Sequence, residues 1–433
     1  MLYQSTNNPA RRVALKQAIL RSLPPDNGLY MPETLPVLDA NFWQTWRHLS
    51  FQEIGGAVAG AFFGDDVPAA ALRQIVDDSL TFDAPVVTLG PADHLLELFH
   101  GPTLAFKDFG ARFMARLMAW LTRNDNRQLT VLVATSGDTG GAVAAAFHQI
   151  PATRVIILYP KGMVSGFQEK QLTTLGDNIT AVEISGSFDD CQALVKAAFL
   201  DRDLSERLNL TSANSINLAR LVPQSFYFIH AARQLPAGVT PVFVVPSGNF
   251  GNLTAGLLAK HLGLPVDHFV AATNRNDVVP EFLRTGTYTP RPGVATISNA
   301  MDVGAPSNFV RMLALFNGSW DAMHTTISGM AFSDDQTRAA IREVRALYQY
   351  TIDPHGAIGW LAARNWRAAH PASTTITLAT AHPAKFAEVM DAELGPNSVA
   401  VPARLACLAT REKVAIQLPA DPAAFRSWLL DSA

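Results

Sequence analysis

Six short apolar runs, each followed by a helical pattern, constrain this chain more than any other feature. The runs lie at residues 130–134, 154–159, 179–184, 241–245, 268–273 and 374–379, and all are rich in Val, Ile, Leu and Thr. Helical patterns follow at 142–148, 168–175, 189–200, 252–262, 278–284 and 384–394. A strand that is apolar at nearly every position must be buried on both faces. Alternation with helices supplies the cover that a parallel sheet needs. The expected fold is therefore α/β, with doubly wound parallel sheets. Ligands of such sheets bind beyond the carboxyl ends of the strands, so the loops after these runs are where chemistry is sought. Residues 1–85 read as helical and loop-rich, broken at Pro24-Pro25-Asp26-Asn27-Gly28 and Met31-Pro32-Glu33.

Composition narrows the function class. In 433 residues, 34 Lys and Arg face 37 Asp and Glu, a net charge of −3, while 48% of residues are hydrophobic and 16% charged. A disordered chain needs the opposite balance. Nucleic-acid binding needs a positive excess to neutralise phosphates, and none is present. Cys191 and Cys407 are too few for a disulfide scaffold and form no Cys-x-x-Cys pair, so a reducing compartment is expected. The apolar runs are strand-length, short of the ~20 residues of a membrane span. Met1 to Arg12 are polar, without the apolar core of a secretory signal. A cytoplasmic location is expected.

Three loops carry the chemistry. After the run at 241–245 comes Pro246-Ser247-Gly248-Asn249-Phe250-Gly251-Asn252. Its glycines let several backbone N–H groups converge, and the helix that follows adds its positive end, an arrangement that suits a phosphate. Neither a P-loop nor a dinucleotide fingerprint is present. A plain glycine-containing turn accounts for the loop as well. The second loop, Ser136-Gly137-Asp138-Thr139-Gly140-Gly141, repeats the design with extra hydroxyls, although Ser and Asp are also ordinary helix caps. The third feature is His100-Gly101-Pro102-Thr103-Leu104-Ala105-Phe106-Lys107-Asp108-Phe109. Lys107 opens a helix between two phenylalanines. The helix dipole and the apolar neighbours both disfavour its charged form, leaving the neutral amine that attacks carbonyls to form a Schiff base. A solvated lysine paired to Asp108 is the alternative.

These segments closely resemble the threonine synthase family, pyridoxal-phosphate enzymes of fold type II. The resemblance also rests on Asn27-Gly28-Leu29-Tyr30-Met31-Pro32, on Ser212-Ala213-Asn214-Ser215-Ile216-Asn217 with Arg220 and Gln224, and on Asn299-Ala300-Met301-Asp302-Val303-Gly304 with Pro306-Ser307-Asn308. The length is similar to that of the larger bacterial and fungal branch. The resemblance implies an N-terminal helical extension at 1–85, a larger cofactor-binding α/β domain at 86–110 and 216–433, and a smaller mobile α/β domain at 111–215. It implies pyridoxal 5'-phosphate carried covalently by Lys107, the catalytic residue. Gly248, Asn249, Phe250, Gly251 and Asn252 would hold its phosphate, and Thr380 its ring nitrogen. Thr380 also reads as a helix cap before Pro383.

For the substrate, the resemblance implies O-phospho-L-homoserine, which reacts with water by β,γ-replacement to give L-threonine and phosphate, the last step of threonine biosynthesis. Ser136, Gly137, Asp138, Thr139 and Gly140 would meet its polar groups. Asn214, Ser215, Asn217 and Arg220 are candidates for its phosphate end. His100, His355 and His382 sit beside motifs without metal-ligand spacing, so no metal is expected. A phospho-lyase on the same substrate, a dehydratase or cysteine synthase of the same fold, and a non-catalytic anion binder remain open. Oligomeric state, monomer or homodimer, is open too.

Overall fold

In the computed structural model, which describes residues 1–432, two mainly parallel sheets carry the chain. Residue 433, the end of the larger domain expected from sequence, lies outside the described residues. The first sheet has six strands in the order Ile327–Ala331, His268–Thr273, Val242–Pro246, Thr375–Ala379, Asp93–Glu97 and Val86–Gly90. Only the edge strand Val86–Gly90 runs antiparallel, as a hairpin with Asp93–Glu97. The second sheet has five parallel strands, in the order Ile416–Pro419, Ile179–Ser185, Thr153–Pro160, Leu129–Ala134 and Leu210–Ser212.

Packing explains the unbroken apolar runs. Successive side chains of a strand point to opposite faces. Phe243 and Val245 enter one core with the helices Gln224–Gln234 and Gly251–His261, while Val242 and Val244 enter another beneath the helix Pro354–Ala369. In the second sheet Val131, Val133, Val155 and Ile157 face the first core, and Leu132, Ala134, Ile156 and Leu158 face a third with Phe425 and Leu429. Both faces are covered, so nearly every position is apolar.

The N-terminal region, expected to be helical and loop-rich, also holds strands. Beside its helices, among them Phe51–Phe63 and Ala69–Ser79, it holds a three-stranded antiparallel sheet of Arg12–Val13, Tyr3–Ser5 and Tyr30–Pro32. Strands of two or three residues are too short to display a period of two. The C-terminal strand Ile416–Pro419, within the segment 216–433 expected to accompany the larger sheet, hydrogen-bonds along Ile179–Ser185 in the smaller one. An edge with unpaired N–H and C=O groups accepts any strand of the right register, and sequence carries no mark of which edge that is.

Between the sheets runs the helix Lys107–Thr122. Phe109 is fully buried on it, with ring centroids 4.8 Å from Phe82, 5.3 Å from Tyr227 and 5.8 Å from Phe51. Among the described residues no helix is long and apolar enough to cross a membrane, and no cluster of His, Cys, Asp and Glu could hold a metal ion. Because three helices and a loop meet at one ring, Phe109→Ala should cost about 3–5 kcal/mol of stability, read as a lower midpoint in urea unfolding.

Candidate active site

Lys107 is placed by a short pairing between loops. The segment around Ala105 bridges Ala381, with Phe106 N–H donating to the Thr380 carbonyl at 2.9 Å and His382 N–H to the Leu104 carbonyl at 3.0 Å. Lys107 at the start of its helix and Thr380 beyond the strand Thr375–Ala379 therefore face one void of about 110 Å³. Asp108 does not pair with Lys107. Its carboxylate accepts from Thr103 N–H at 2.8 Å and Thr103 Oγ1 at 2.6 Å. Lys107 is not solvated either, with 14% of its side chain exposed. Burial pulls its amine down to about 8, with Asp138 opposing and Lys385 and Arg220 reinforcing. Thr380 is not the helix cap, since His382 Nδ1 accepts from Ala384 N–H at the start of Pro383–Phe386.

The loop after Val242–Pro246 forms the floor of the void. Phe250 adopts a left-handed φ of 58° and turns the chain into the helix Gly251–His261. Among the described residues, the N–H groups of Gly248, Asn249, Phe250, Gly251 and Asn252 find no acceptor in the protein. Unsatisfied N–H groups at a helix start attract an anion. The two asparagines pin the loop instead of facing the void with their amides. Asn252 donates to the Pro246 carbonyl at 2.8 Å and accepts from Ser247 Oγ at 3.0 Å. Asn249 accepts from Ser307 N–H at 2.6 Å and donates to Ser215 Oγ at 3.3 Å. Gly248 is required by close approach, because a Cβ there would lie 2.6 Å from Met301 Cα and 2.8 Å from the Ala300 carbonyl oxygen.

The loop after Leu129–Ala134 brings Ser136, Asp138 and Thr139 to the same void, as do Asn214, Ser215 and Arg220 from the turn after Leu210–Ser212. Gly137, Gly140 and Asn217 stay behind its wall. Gly137, at φ 139°, leaves room for Gln168, whose side chain a Cβ would strike at 2.5 Å. Gly140 N–H donates to Thr135 Oγ1 at 2.8 Å. Asn217 caps the helix Leu218–Leu221 and donates to the Ile19 carbonyl at 2.8 Å. Asp138 caps nothing. Its Oδ1 lies 2.5 Å from Lys385 Nζ and accepts from Gln168 Nε2 at 2.9 Å, while its Oδ2 lies 4.0 Å from Lys107 Nζ. Burial alone would raise this carboxyl, but Lys385 and then Lys107 outweigh it and hold it far below the usual carboxylate range.

Sequence reasoning missed three residues. Thr135 Oγ1 accepts from both Gly137 and Gly140 N–H and shapes the loop. Buried Arg311 donates to the carbonyls of Tyr30, Ser215 and Ile216 and to Asn308 Oδ1, tying the N-terminal sheet to the site. Lys385 is fully buried, and its only sequence signal is its place beyond the strand that carries Thr380. A cleft of about 770 Å³, whose wall includes Ser136, Ser165, Thr296, Asp302 and Lys385, opens beside the void.

Known proteins share this architecture. Residues 94–380 match the pyridoxal-phosphate dependent enzyme family, residues 2–80 the threonine synthase N terminus and residues 356–428 the threonine synthase C-terminal region. The chain is 44% identical to threonine synthase of Escherichia coli (strain K12) over 423 residues, 97% of each chain. It is 45% identical to that of Serratia marcescens over 422 residues, 97% of this chain and 96% of the other. A crystal structure of the Escherichia coli threonine synthase superposes with a TM-score of 0.94 over the whole of both chains at 43% identity. A PLP-bound threonine synthase from Brucella melitensis superposes with 0.90, covering 99% of this chain and 98% of that one at 35% identity.

The Gly248 contact is with backbone and cannot yield by a rotamer change. Gly248→Ala should move the loop off residues 300–301 and weaken binding of pyridoxal phosphate by about tenfold or more, roughly 1.4 kcal/mol, measured by equilibrium dialysis.

Proposed function

The chain belongs to the threonine synthase family, and on that premise we propose how its residues divide the work of converting O-phospho-L-homoserine and water to L-threonine and phosphate. Lys107, the loop of Gly248, Asn249, Phe250, Gly251 and Asn252, and Thr380 hold pyridoxal 5'-phosphate. One observation carries this reading: a mostly buried, weakly basic lysine shares a void with five unpartnered N–H groups. The N–H groups suit a phosphate, the amine suits an aldehyde, and the Thr380 hydroxyl suits a ring nitrogen without forcing its protonation. When bound, the cofactor supplies an electron sink for charge developed next to the substrate nitrogen.

The chain's own groups do the rest. Lys107 Nζ, pulled down to about 8, is available as a base to take the proton from the substrate Cα and then from Cβ, and to return one proton at Cγ after phosphate has left and one at Cα when threonine forms. Arg220 lines the void, and burial, with Asp108 opposing, lowers it to about 10, so it stays a cation. With Asn214 and Ser215 it receives the substrate phosphate, for which a guanidinium fork is well shaped. Ser136 and Thr139 meet the remaining polar groups. Asp138 acts through its charge on Lys107, and Gly137, Gly140 and Asn217 act by shaping the loops that carry these side chains.

Water must stay out until phosphate has left and then enter once. Closure of the smaller unit, 111–215, over the cleft toward the larger one of 86–110 and 216–433, with 1–85 as an extension, provides that timing. The strand Ile416–Pro419 moves with the smaller unit, to which it is hydrogen-bonded. With a net charge of −3, the partner proposed is the small-molecule substrate in the cytoplasm, not a nucleic acid.

Incubation of the loaded protein with O-phospho-L-homoserine should release threonine and phosphate in equal amounts. Phosphate with 2-oxobutyrate would sink the synthase reading while keeping the site. Lys107→Ala should lower turnover by about 10²–10⁴-fold or more, and retained full turnover would remove Lys107 from its role.

A further inference from the structure

The Asp138 carboxylate lies between two lysines, and the mechanism above uses only one of them. Lys385 Nζ is 2.5 Å from Oδ1, whereas Lys107 Nζ is 4.0 Å from Oδ2. Lys385 is held there by burial and by a second acceptor. Its side chain is fully buried, and its ammonium also donates to the Thr103 carbonyl at 2.9 Å. Gln168 donates to the same Oδ1 at 2.9 Å, so that oxygen is saturated from the far side. The partners come from different sheets. Asp138 opens the helix after Leu129–Ala134, and Lys385 follows Thr375–Ala379. A second tie spans the same gap, from Ser165 Oγ to the Lys385 carbonyl at 2.9 Å.

We propose that Lys385 is a positioning residue for Lys107: by engaging the Asp138 carboxylate at contact distance it holds that charge 4.0 Å from the Lys107 amine and keeps it from drawing the amine further to its ammonium form. The reading rests on Lys107 being the cofactor-binding lysine. Its physics is Coulombic. An anion drawn closer stabilises the ammonium form of Lys107, and a cation drawn closer destabilises it. The charged groups facing Lys107 are Asp138 on one helix, Lys385 on the loop after Thr375–Ala379 and Arg220 on the helix Leu218–Leu221. Asp108 is adjacent in sequence, but its carboxylate is turned to Thr103. Removal of the Lys385 charge, with the fold kept, leaves the carboxylate to Lys107. Loss of the Lys385 repulsion and gain of the Asp138 attraction both raise the amine, so the two effects cannot cancel.

The test follows bond formation between pyridoxal phosphate and Lys107 in the full chain stripped of cofactor, by absorbance, as a function of pH. In the unaltered protein the rate should rise through a midpoint near 8, where the amine becomes neutral. In Lys385→Gln the midpoint should move up by about one pH unit, an approximately tenfold slower reaction at pH 7. Lys385→Arg should stay near the unaltered value. Should Lys385→Gln fold poorly with Asp138 left unpaired, the double variant Asp138→Asn, Lys385→Gln removes both charges together. Its midpoint should fall to or below the unaltered value, since the attraction of Asp138 on Lys107 exceeds the repulsion of Lys385. An unmoved midpoint in folded Lys385→Gln overturns the proposal. So does a raised KM for O-phospho-L-homoserine with an unmoved midpoint, which would make Lys385 a substrate ligand. If Lys107→Ala gives the same absorbance change as the unaltered protein, the lysine assignment has failed instead.

Discussion

Every functional side chain here depends on one constraint: the backbone of a sheet buried on both faces must satisfy itself strand to strand. Parallel strands do this only if each returns through a crossover, and the crossovers here are helices that bury the sheet in turn. All strand-to-helix loops then emerge at the same edge. Lys107 follows Asp93–Glu97, Asp138 follows Leu129–Ala134, the Gly248 loop follows Val242–Pro246, and Thr380 and Lys385 follow Thr375–Ala379. Residues as far apart in the chain as Lys107 and Lys385 meet because these four loops from two sheets open toward each other.

What gathers there is an excess of buried positive charge. Lys107, Arg220, Arg311 and Lys385 are all buried or nearly so, and Asp138 is the carboxylate within 4.0 Å of two of them. Removing a cation from water without a partner costs several kcal/mol. Arg311 offsets the cost with backbone carbonyls and Lys385 with Asp138 and the Thr103 carbonyl. Arg220 finds the Ala213 carbonyl but leaves its Nε unpartnered, and burial lowers it to about 10. Together with five free N–H groups, these cations make a setting in which anionic ligands complete the charge balance. A cofactor with a phosphate and a substrate with another are ligands of that kind.

The legible part of the fold was the part with a long enough signal. The run at 268–273 recurs as His268–Thr273 without change, and those at 130–134 and 179–184 gain a single residue. Strands that went unseen carry weak patterns. Asp93–Glu97 is flanked by charges, one of which pairs with Arg367 at 2.6 Å, and Tyr3–Ser5 is three residues long. Within the site, Gly248 drew notice through its place after an apolar run, Lys107 through its place at a helix start, and both through motif likeness, since a plain turn and a solvated lysine account for each one alone. Thr135 and Arg311 were not, because a buried threonine or arginine has no local signature: both act on backbone groups that only the folded chain brings to them.

Sequence alone determined the fold class, the loops that line the void and, through motif likeness, the family. These follow from periodicity and residue type, which are properties of short segments. Tertiary structure alone decided the roles within the site. It turned Asp108 away from Lys107 to Thr103, moved helix capping from Thr380 to His382, took the two asparagine amides for the loop's own support, and placed Lys385 against Asp138. The physical reason is that a side chain's charge and hydrogen bonds depend on its distance to partners and its distance from water. Neither distance exists until both sheets have formed and met.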